Sequence, residues 1–310
     1  MSRGKGEFAL IEWIRRRAPR PRGVVIGIGD DAAAMDVRGD RLCLLSTDMM
    51  LDGTHFDLKQ CTPRQVGRKA MATNLSDIAA MGCVPTVAVV SLGLPGRADM
   101  KFAKELNRGM HEMAAEFGVA IVGGDITSGK GPLAISVAIL GRDAGLKPLR
   151  RSGAKVGDAI MVTGTLGGSI LGKHLDFTPR VREALILNRR FKLHAMIDIS
   201  DGLAADLNHI CEESRVAATL YADRIPISDA ARRLARKTGK TPLAHALSDG
   251  EDYELLFTLS QREARRLMAR NPLGVPVSHI GRIHAGRGMW LADKHGKRAR
   301  LAPMGYEHFK

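Results

Sequence analysis

Apolar and polar positions along the chain switch between a helical and a two-residue rhythm, which predicts an alternation of helices and strands. Residues 7–17 place Phe8, Ile11 and Ile14 on one side, with Leu10 and Trp13 beside them, the spacing of a short amphipathic helix. The apolar runs at 24–29 and 41–47 predict strands. From Pro63 to Met81, Val66, Ala70, Met71, Leu75, Ile78 and Ala79 form the apolar side of a helix, with Pro63 at its first position and Gly82 past its end. A strand at 86–94, a helix at 99–117 closed by Gly118, and strands at 119–124 and 133–141 complete the first half.

A polar connection with Gly and Arg follows over 143–157. Beyond it the pattern predicts a strand at 159–163, short helices over 167–190, a strand at 195–199 and a helix from Asp201 to Ser214. A strand at 216–221, a helix at 228–237 and a strand at 253–259 come next, then a helix opened by Ser260 with Glu263 as a capping box. The tail, 276–310, alternates short strands and turns. Strands and helices are intermixed throughout, so the expected class is α/β (mixed α+β), with domains at 1–145 and 146–310.

Composition narrows the class. The chain is 45% hydrophobic but only 4% aromatic, so Ala, Leu, Ile, Val and Met must fill the core. The net charge of +14 is spread over many short arginine clusters such as Arg15–Arg17, Arg189–Arg190 and Arg265–Arg266. These read as solvated helix faces, without interleaved aromatic residues as stacking platforms, so no nucleic-acid partner is expected. A basic surface also steers anionic substrates. The four cysteines form no CxxC pair and no metal-ligand spacing with histidine, the usage of a reduced, cytoplasmic protein. No apolar signal region or membrane-length apolar run occurs, so neither secretion nor a membrane partner is expected.

The chemistry lies in carboxylates embedded in Gly/Ser/Thr-rich strings at the ends of apolar runs. They are Asp30 and Asp31 in GIGDDAA, Asp48 in LLSTD, Asp77 in NLSD and Asp125 in VGGD. Asp198 and Asp201 follow in IDISDGL, and Glu251 and Asp252 in DGEDYEL. Each alone has an ordinary explanation. Asp30–Asp31 makes a turn, Asp201 is an N-cap, and Glu251–Asp252 is a charged loop. Lys69, Thr73 and Asp77, spaced by four with Asn74 beside them, form either a solvent face or, given the small Ala79–Ala80 that follow, a buried polar site.

The recurrence of one grammar six times argues for convergence. Two carboxylates about 4 Å apart repel by roughly 1–4 kcal/mol, so such a cluster requires cations. All-oxygen ligands point to Mg²⁺, and Mg²⁺ held by carboxylates points to nucleotide-dependent phosphoryl transfer. No GxxxxGK[ST], kinase HRD/DFG set or GxSxG elbow is present to support another route.

With these strings in hand, the chain resembles the thiamine-monophosphate kinases, within the aminoimidazole-ribonucleotide-synthetase-like ATP-binding superfamily. The resemblance runs from GEFALIEWI (6–14) through GIGDDAA, STD…GTHF (46–56), KAMATNLSDIAAMG (69–82), GGD, RSGAKVGDAIMVTGT (151–165), IDISDGL and GEDYELLF to GYEHF (305–309). It implies transfer of the γ-phosphate of ATP onto the phosphate of thiamine monophosphate, giving thiamine diphosphate. It implies a two-domain synthetase-like fold whose N-terminal sheets pair into a barrel across a homodimer.

Carried over by motif, the implied ligands of several Mg²⁺ ions are Asp30, Ser46, Thr47, Asp48, Asp77, Asp125, Asp198 and Asp201. Nucleotide contacts fall to Gly124, Asp125, Arg151 and Ser200. Thiamine contacts fall to His55, Glu251 and Tyr306. No general base is expected, because the accepting phosphate oxygen is already ionised at neutral pH.

The chain departs from the family pattern at Ile126, Thr127, Ser128 and Gly129 after GGD, at Met49–Met50, at Asp249 and in a shortened 172–195 segment. Two other readings stand beside this one: a related ATP-dependent phosphotransferase or synthetase with a different substrate, and an inactive nucleotide-binding sensor. Retention of every metal carboxylate argues against the sensor.

Overall fold

The strand-like segments assemble into two open sheets, with helices between and outside them. The computed structural model describes residues 7–17, 23–37 and 41–308; Arg20, Arg22, Phe309, Lys310 and the side chain of Phe8 lie outside that description. The first half comprises α1 (Glu7–Arg17), β1 (Val24–Ile26), β2 (Ala33–Asp36), β3 (Leu42–Leu51), α2 (Pro63–Ala80), β4 (Val84–Pro95), α3 (Met100–Glu116), β5 (Ala120–Gly129) and β6 (Ala134–Arg142). Its sheet has six strands among the described residues, in the order β1-β2-β3-β6-β4-β5.

The second half comprises β7 (Ala159–Thr163), a short 3-10 turn at Ser169–Leu171, α4 (Lys173–Asp176), α5 (Val181–Arg190), β8 (Leu193–Asp198), α6 (Leu203–Ser214) and β9 (Ala217–Tyr221). It continues with α7 (Asp229–Thr238), α8 (Pro242–Ser248), β10 (Leu255–Leu259), α9 (Gln261–Ala269), β11 (Val277–His284), β12 (Gly288–Ala292) and β13 (Arg298–Leu301). These strands form a seven-stranded sheet in the order β13-β12-β9-β11-β7-β10-β8. Among the described residues, no helix is long and apolar enough to cross a membrane.

Most predicted elements stand within a few residues of their expected ends. Two do not, and both carry candidate site residues. Asp48 and Asp125 were expected at strand ends, but β3 runs on to Leu51 and β5 to Gly129, so each lies inside its strand. Glycine, serine and threonine do not break a strand whose backbone groups are already paired. Asp48 is paired in register with Val137 of β6, and Asp125 with Ser91 of β4. The strand β2 and the helix α8 were not anticipated. Nor does Asp201 cap α6, because Gly202 occupies the cap.

Two apolar clusters explain why β7 and β10 read as continuous apolar runs. Met161 and Phe257 join the cluster shared with α2, α3 and the first sheet. Their neighbours Ile160, Val162 and Leu256 join a second cluster on the opposite face, with Leu203, Leu207 and Ile210 of α6. A sheet covered on both faces has no polar side to alternate with.

The helix α2 is wedged between the two sheets and contacts β3, β6, α3, α5 and β8. Its start is fixed by a complete capping box between Thr62 and Gln65, with Pro63 in the first turn. Glycine sets how closely it meets α3: a Cβ on Gly67 would lie 2.0 Å from the Leu106 carbonyl oxygen, and one on Gly109 would lie 1.9 Å from that of Arg64. This close crossing leaves the rest of α2 free to face the cleft between the halves.

Candidate phosphoryl-transfer site

The ambiguous stripe on α2 is buried. Lys69, Thr73, Asn74 and Ser76 are all buried although polar; Thr73 and Asn74 both meet Asp48 of β3, while Lys69 and Ser76 reach the second half of the chain. The Asn74 side-chain oxygen accepts from the Asp48 backbone N–H at 3.2 Å, which fixes β3 against the helix. The Ser76 hydroxyl donates to Asp198 at the end of β8 at 2.5 Å, and Asp77 accepts from the Ser46 hydroxyl of β3. Helical spacing thus gathers carboxylates from both halves around a single rod.

Their electrostatics are those of a crowded, poorly solvated cluster. Burial pushes the Asp77 carboxyl well above the usual range, and Asp48 and Asp198 add to it, partly opposed by the Ser46 hydroxyl. Asp48 is raised by burial and by Asp31, against the Thr73 hydroxyl. Asp198 is raised to about 7 by burial and then by Asp31, and Asp201 to about 6 by burial and then by Glu7. Asp30 is raised by burial, although it accepts the Arg151 backbone N–H at 2.7 Å.

Arg151 faces the same region. Its guanidinium donates to Asp31 at 2.7 Å, while the buried Arg151 Nε and Asp31 Oδ2 have no hydrogen-bond partner among the described residues. Buried polar atoms are rarely left without partners, so both fit a site that receives a charged ligand.

A cavity of about 480 Å³ joins this cluster to the opposite end of the cleft; its lining includes Asp48, Asp77, Asp198, Ser200, Asp201, His55, Lys69, Glu251 and Tyr306. A second recess of about 540 Å³ meets it at Thr54, His55, Ile170 and Glu251, and is lined further by Cys61 and His174. His55 accepts the Leu51 backbone N–H through Nδ1 at 3.1 Å, and burial, with His308 and Lys69 nearby, lowers its pKa. Tyr306, half exposed on the C-terminal tail, donates its backbone N–H to the Asp201 carbonyl at 3.0 Å, and the His308 ring lies between Tyr306 and His55. The tail therefore roofs the cleft.

Comparison with known proteins decides what this arrangement belongs to. Residues 29–142 match the AIR synthase related protein N-terminal domain and residues 155–293 its C-terminal domain. The thiamine-monophosphate kinase of Rhodopirellula baltica is 42% identical, with 97% of each chain covered. The chain belongs to the thiamine-monophosphate kinase family. The kinase of Escherichia coli K12 is 35% identical over 98% of both chains. The solved structure of AaThiL complexed with AMPPCP and TMP superimposes with a TM-score of 0.84 at 31% identity, covering 98% of this chain and 97% of that one.

Of the residues implied by that family, one chain brings Asp48, Asp77, Asp198, Ser200, Asp201, His55, Glu251 and Tyr306 to one cavity; Ser46 is bonded to Asp77, and Asp30, tied to Arg151, lines a separate recess. The chain does not bring Thr47, Gly124 or Asp125 to them. Strand alternation turns Thr47 away from Ser46 and Asp48, and its hydroxyl donates to the Val137 carbonyl at 2.9 Å. Asp125 lies in the register row of Met49, Ser136 and Ser91, on the sheet face opposite Asp48. It is also three strands away, about 14 Å.

Four residues of the site were not singled out from sequence. Asp206 is buried and accepts the backbone N–H groups of Asp201 and Gly202, which frees the Asp201 carboxylate from capping. An acidic residue in the first turn of α6 was the available signal. Lys69, a lone lysine on a buried helix, was noted only as part of the stripe. Glu7 and His308, joined by a 2.8 Å hydrogen bond across the two chain ends, carried no signal.

The departure at Asp249 has a structural account. Its carboxylate accepts the Gly168 backbone N–H at 2.9 Å and pairs with His245, tying the Gly167–Gly168 turn to α8. The shortened 172–195 segment is tied down by Lys173 and Arg180, both paired with the buried Glu254.

Proposed function

We propose that this chain transfers the γ-phosphate of ATP to the phosphate of thiamine monophosphate, releasing ADP and thiamine diphosphate. One observation carries the reading: in a chain of this family, a buried carboxylate cluster and the His55–Glu251 end of the cleft share one continuous cavity. The solved relative that holds AMPPCP and TMP supports the same pair of ligands.

The donor set fits Mg²⁺. Every ligand atom offered by Asp30, Ser46, Asp48, Asp77, Asp198 and Asp201 is oxygen, the carboxylates crowd one another, and the buried Asp31 Oδ2 has no partner among the described residues. Mg²⁺, when bound, neutralises the triphosphate charge. Arg151, held by Asp31, presents its unpaired Nε to the nucleotide phosphates, and Ser200 lines the same side. Glu251 accepts hydrogen bonds from the aminopyrimidine, while His55 and Tyr306 pack against the rings. No side chain needs to remove a proton, since the acceptor oxygen is already ionised. Positioning and charge neutralisation carry the rate.

The working unit in this reading is a homodimer. The first sheet exposes Leu45, Met49 and Val89 on its outer face, and its edge strand β5 exposes Val122 at 62% and Ile126 at 67%. Among the described residues β2 pairs with residues 42–45 of β3, so residues 46–51 have β6 on one side and no strand on the other. A second copy's β5 laid on that side closes a barrel. It also sets Asp125 of one copy beside Thr47 of the other, the two metal candidates that a single chain leaves on the outer face. The division at residue 145, supported by the irregular connection at 143–158, and a cytoplasmic setting, supported by four free cysteines, complete the proposal.

The test is direct: incubate the purified protein with ATP, Mg²⁺ and thiamine monophosphate and assay thiamine diphosphate by chromatography. Formation of product with equimolar ADP is expected. Absence of product from folded protein at millimolar substrate overturns the assignment.

A further inference from the structure

Lys69 is 1% exposed, one of the largest fully buried side chains among the described residues. A buried ammonium without partners is strongly unfavourable, so its partners reveal what holds it there. They lie on two separate segments: Nζ donates to the Glu251 carboxylate, through Oε1, and to the His55 carbonyl oxygen at 2.6 Å. One segment is the turn between β3 and α2, the other the loop between α8 and β10. Both partners line the two joined recesses, and Lys69 itself lines the first.

The Glu251 backbone is unusual as well. Its φ is +53° and that of Tyr253 is +48°, left-handed values that side-chain-bearing residues seldom adopt. The loop is pinned by Glu251 N–H to the Ser200 carbonyl at 2.6 Å and Tyr253 N–H to the Ile199 carbonyl at 2.8 Å. Such backbone persists only where its surroundings over-determine it, and it clusters at ligand clamps. Backbone bonds fix the main chain of the loop; Lys69 fixes the carboxylate.

We propose that Lys69 is a positioning residue for the acceptor pocket. It bridges the two halves of the cleft and occupies Oε1 of Glu251 so that Oε2 is aimed at an amino-bearing heterocycle. A carboxylate aimed in this way accepts an N–H strongly and repels a carbonyl at the same place, so Lys69 sets selectivity for the amine as well as affinity. This rests on the acceptor assigned above.

The experiment measures binding without turnover, by calorimetry on the full-length protein. Lys69→Met is compared with wild type for thiamine monophosphate, for its analogue with the exocyclic amine replaced by oxygen, and for a non-hydrolysable ATP analogue. Lys69→Met is expected to weaken thiamine monophosphate about 30-fold, to reduce the preference for amine over oxygen to near unity, and to leave the nucleotide within about twofold. The double variant Lys69→Met/Glu251→Gln, which buries no lone charge, is expected to bind no worse than either single change. It also supplies the readout if Lys69→Met alone fails to fold.

An unchanged amine preference, strictly additive effects, or equal losses for nucleotide and acceptor overturn the proposal. Wild-type protein that binds thiamine monophosphate but forms no thiamine diphosphate overturns the proposed reaction and leaves the Lys69 test intact. Failure of wild type to bind it overturns both.

Discussion

The cleft beside α2 and the outer face of the first sheet carry the same kind of sequence, yet they are opposite environments. In the cleft, Ser46, Asp48, Asp77 and Asp198 converge within one chain, and burial pushes the three carboxyls upward. On β5, Gly123 and Asp125 are exposed, on the face that Asp48 turns its back to. A Gly/Ser/Thr-rich string ending in Asp therefore does not by itself say which carboxylates meet. Strand parity and the position of α2 decide that.

The largest effect should come from the cleft. Asp48→Asn removes one charge from the centre of the cluster and keeps the side-chain volume. Thiamine diphosphate formation is expected to fall about 10³-fold or more, because the metals and the transferred phosphoryl group lose a ligand that matters most in the transition state. The variant should fold and melt at least as high as wild type in metal-free buffer, since a carboxylate in a repulsive cluster has been neutralised. Near-normal turnover at saturating Mg²⁺ would remove Asp48 from the metal set.

The outer face makes a different prediction. If Asp125 serves the neighbouring copy, Asp48→Asn and Asp125→Asn chains are each inactive as pure dimers, but a mixed dimer contains one site with both aspartates intact. Refolding the two variants together in equal amounts should restore about a quarter of wild-type activity, the product of half the dimers being mixed and half their sites being whole. No recovery, with mixed dimers demonstrated by differential tagging, would place Asp125 outside the partner's site. It would leave the two regions unrelated in function.

This contrast also marks how far the sequence could be read. Element types were legible because hydrophobic period survives burial, and β7 was predicted to the residue. The α2 stripe stayed ambiguous because a helical period says which residues share a face but not what covers it. Here the cover is β3 together with the second half of the chain, where Asp198 lies 122 positions from Ser76 beside the stripe. Lys69 shows the same limit, since its carboxylate partner is 182 residues away. Asp125 was legible as a motif and not as a location. Strand continuation through GGDITSG depends on pairing with β4, and a face assignment depends on register, which a single string does not carry.

The smallest effect separates the regions by pH. Asp198 at about 7 and Asp201 at about 6 hold protons more tightly in the folded chain than an ordinary unfolded aspartate near 3.9, and Asp48 and Asp77 are shifted in the same direction. Folding then takes up protons between about pH 4 and pH 7, so this contribution to stability is present at low pH and fades as pH rises through the folded values. In buffer with chelator, the melting temperature should be higher at pH 6 than at pH 8, by on the order of 5 °C. Mg²⁺ should raise the pH 8 value and shrink the difference, because it replaces the protons that relieve the repulsion. Asp125→Asn, exposed in the single chain, should leave the chelated profile unchanged, whereas Asp198→Asn should flatten it. A chelated protein that instead gains stability from pH 6 to pH 8 would mean that burial and mutual repulsion do not hold the cleft carboxyls above their ordinary range.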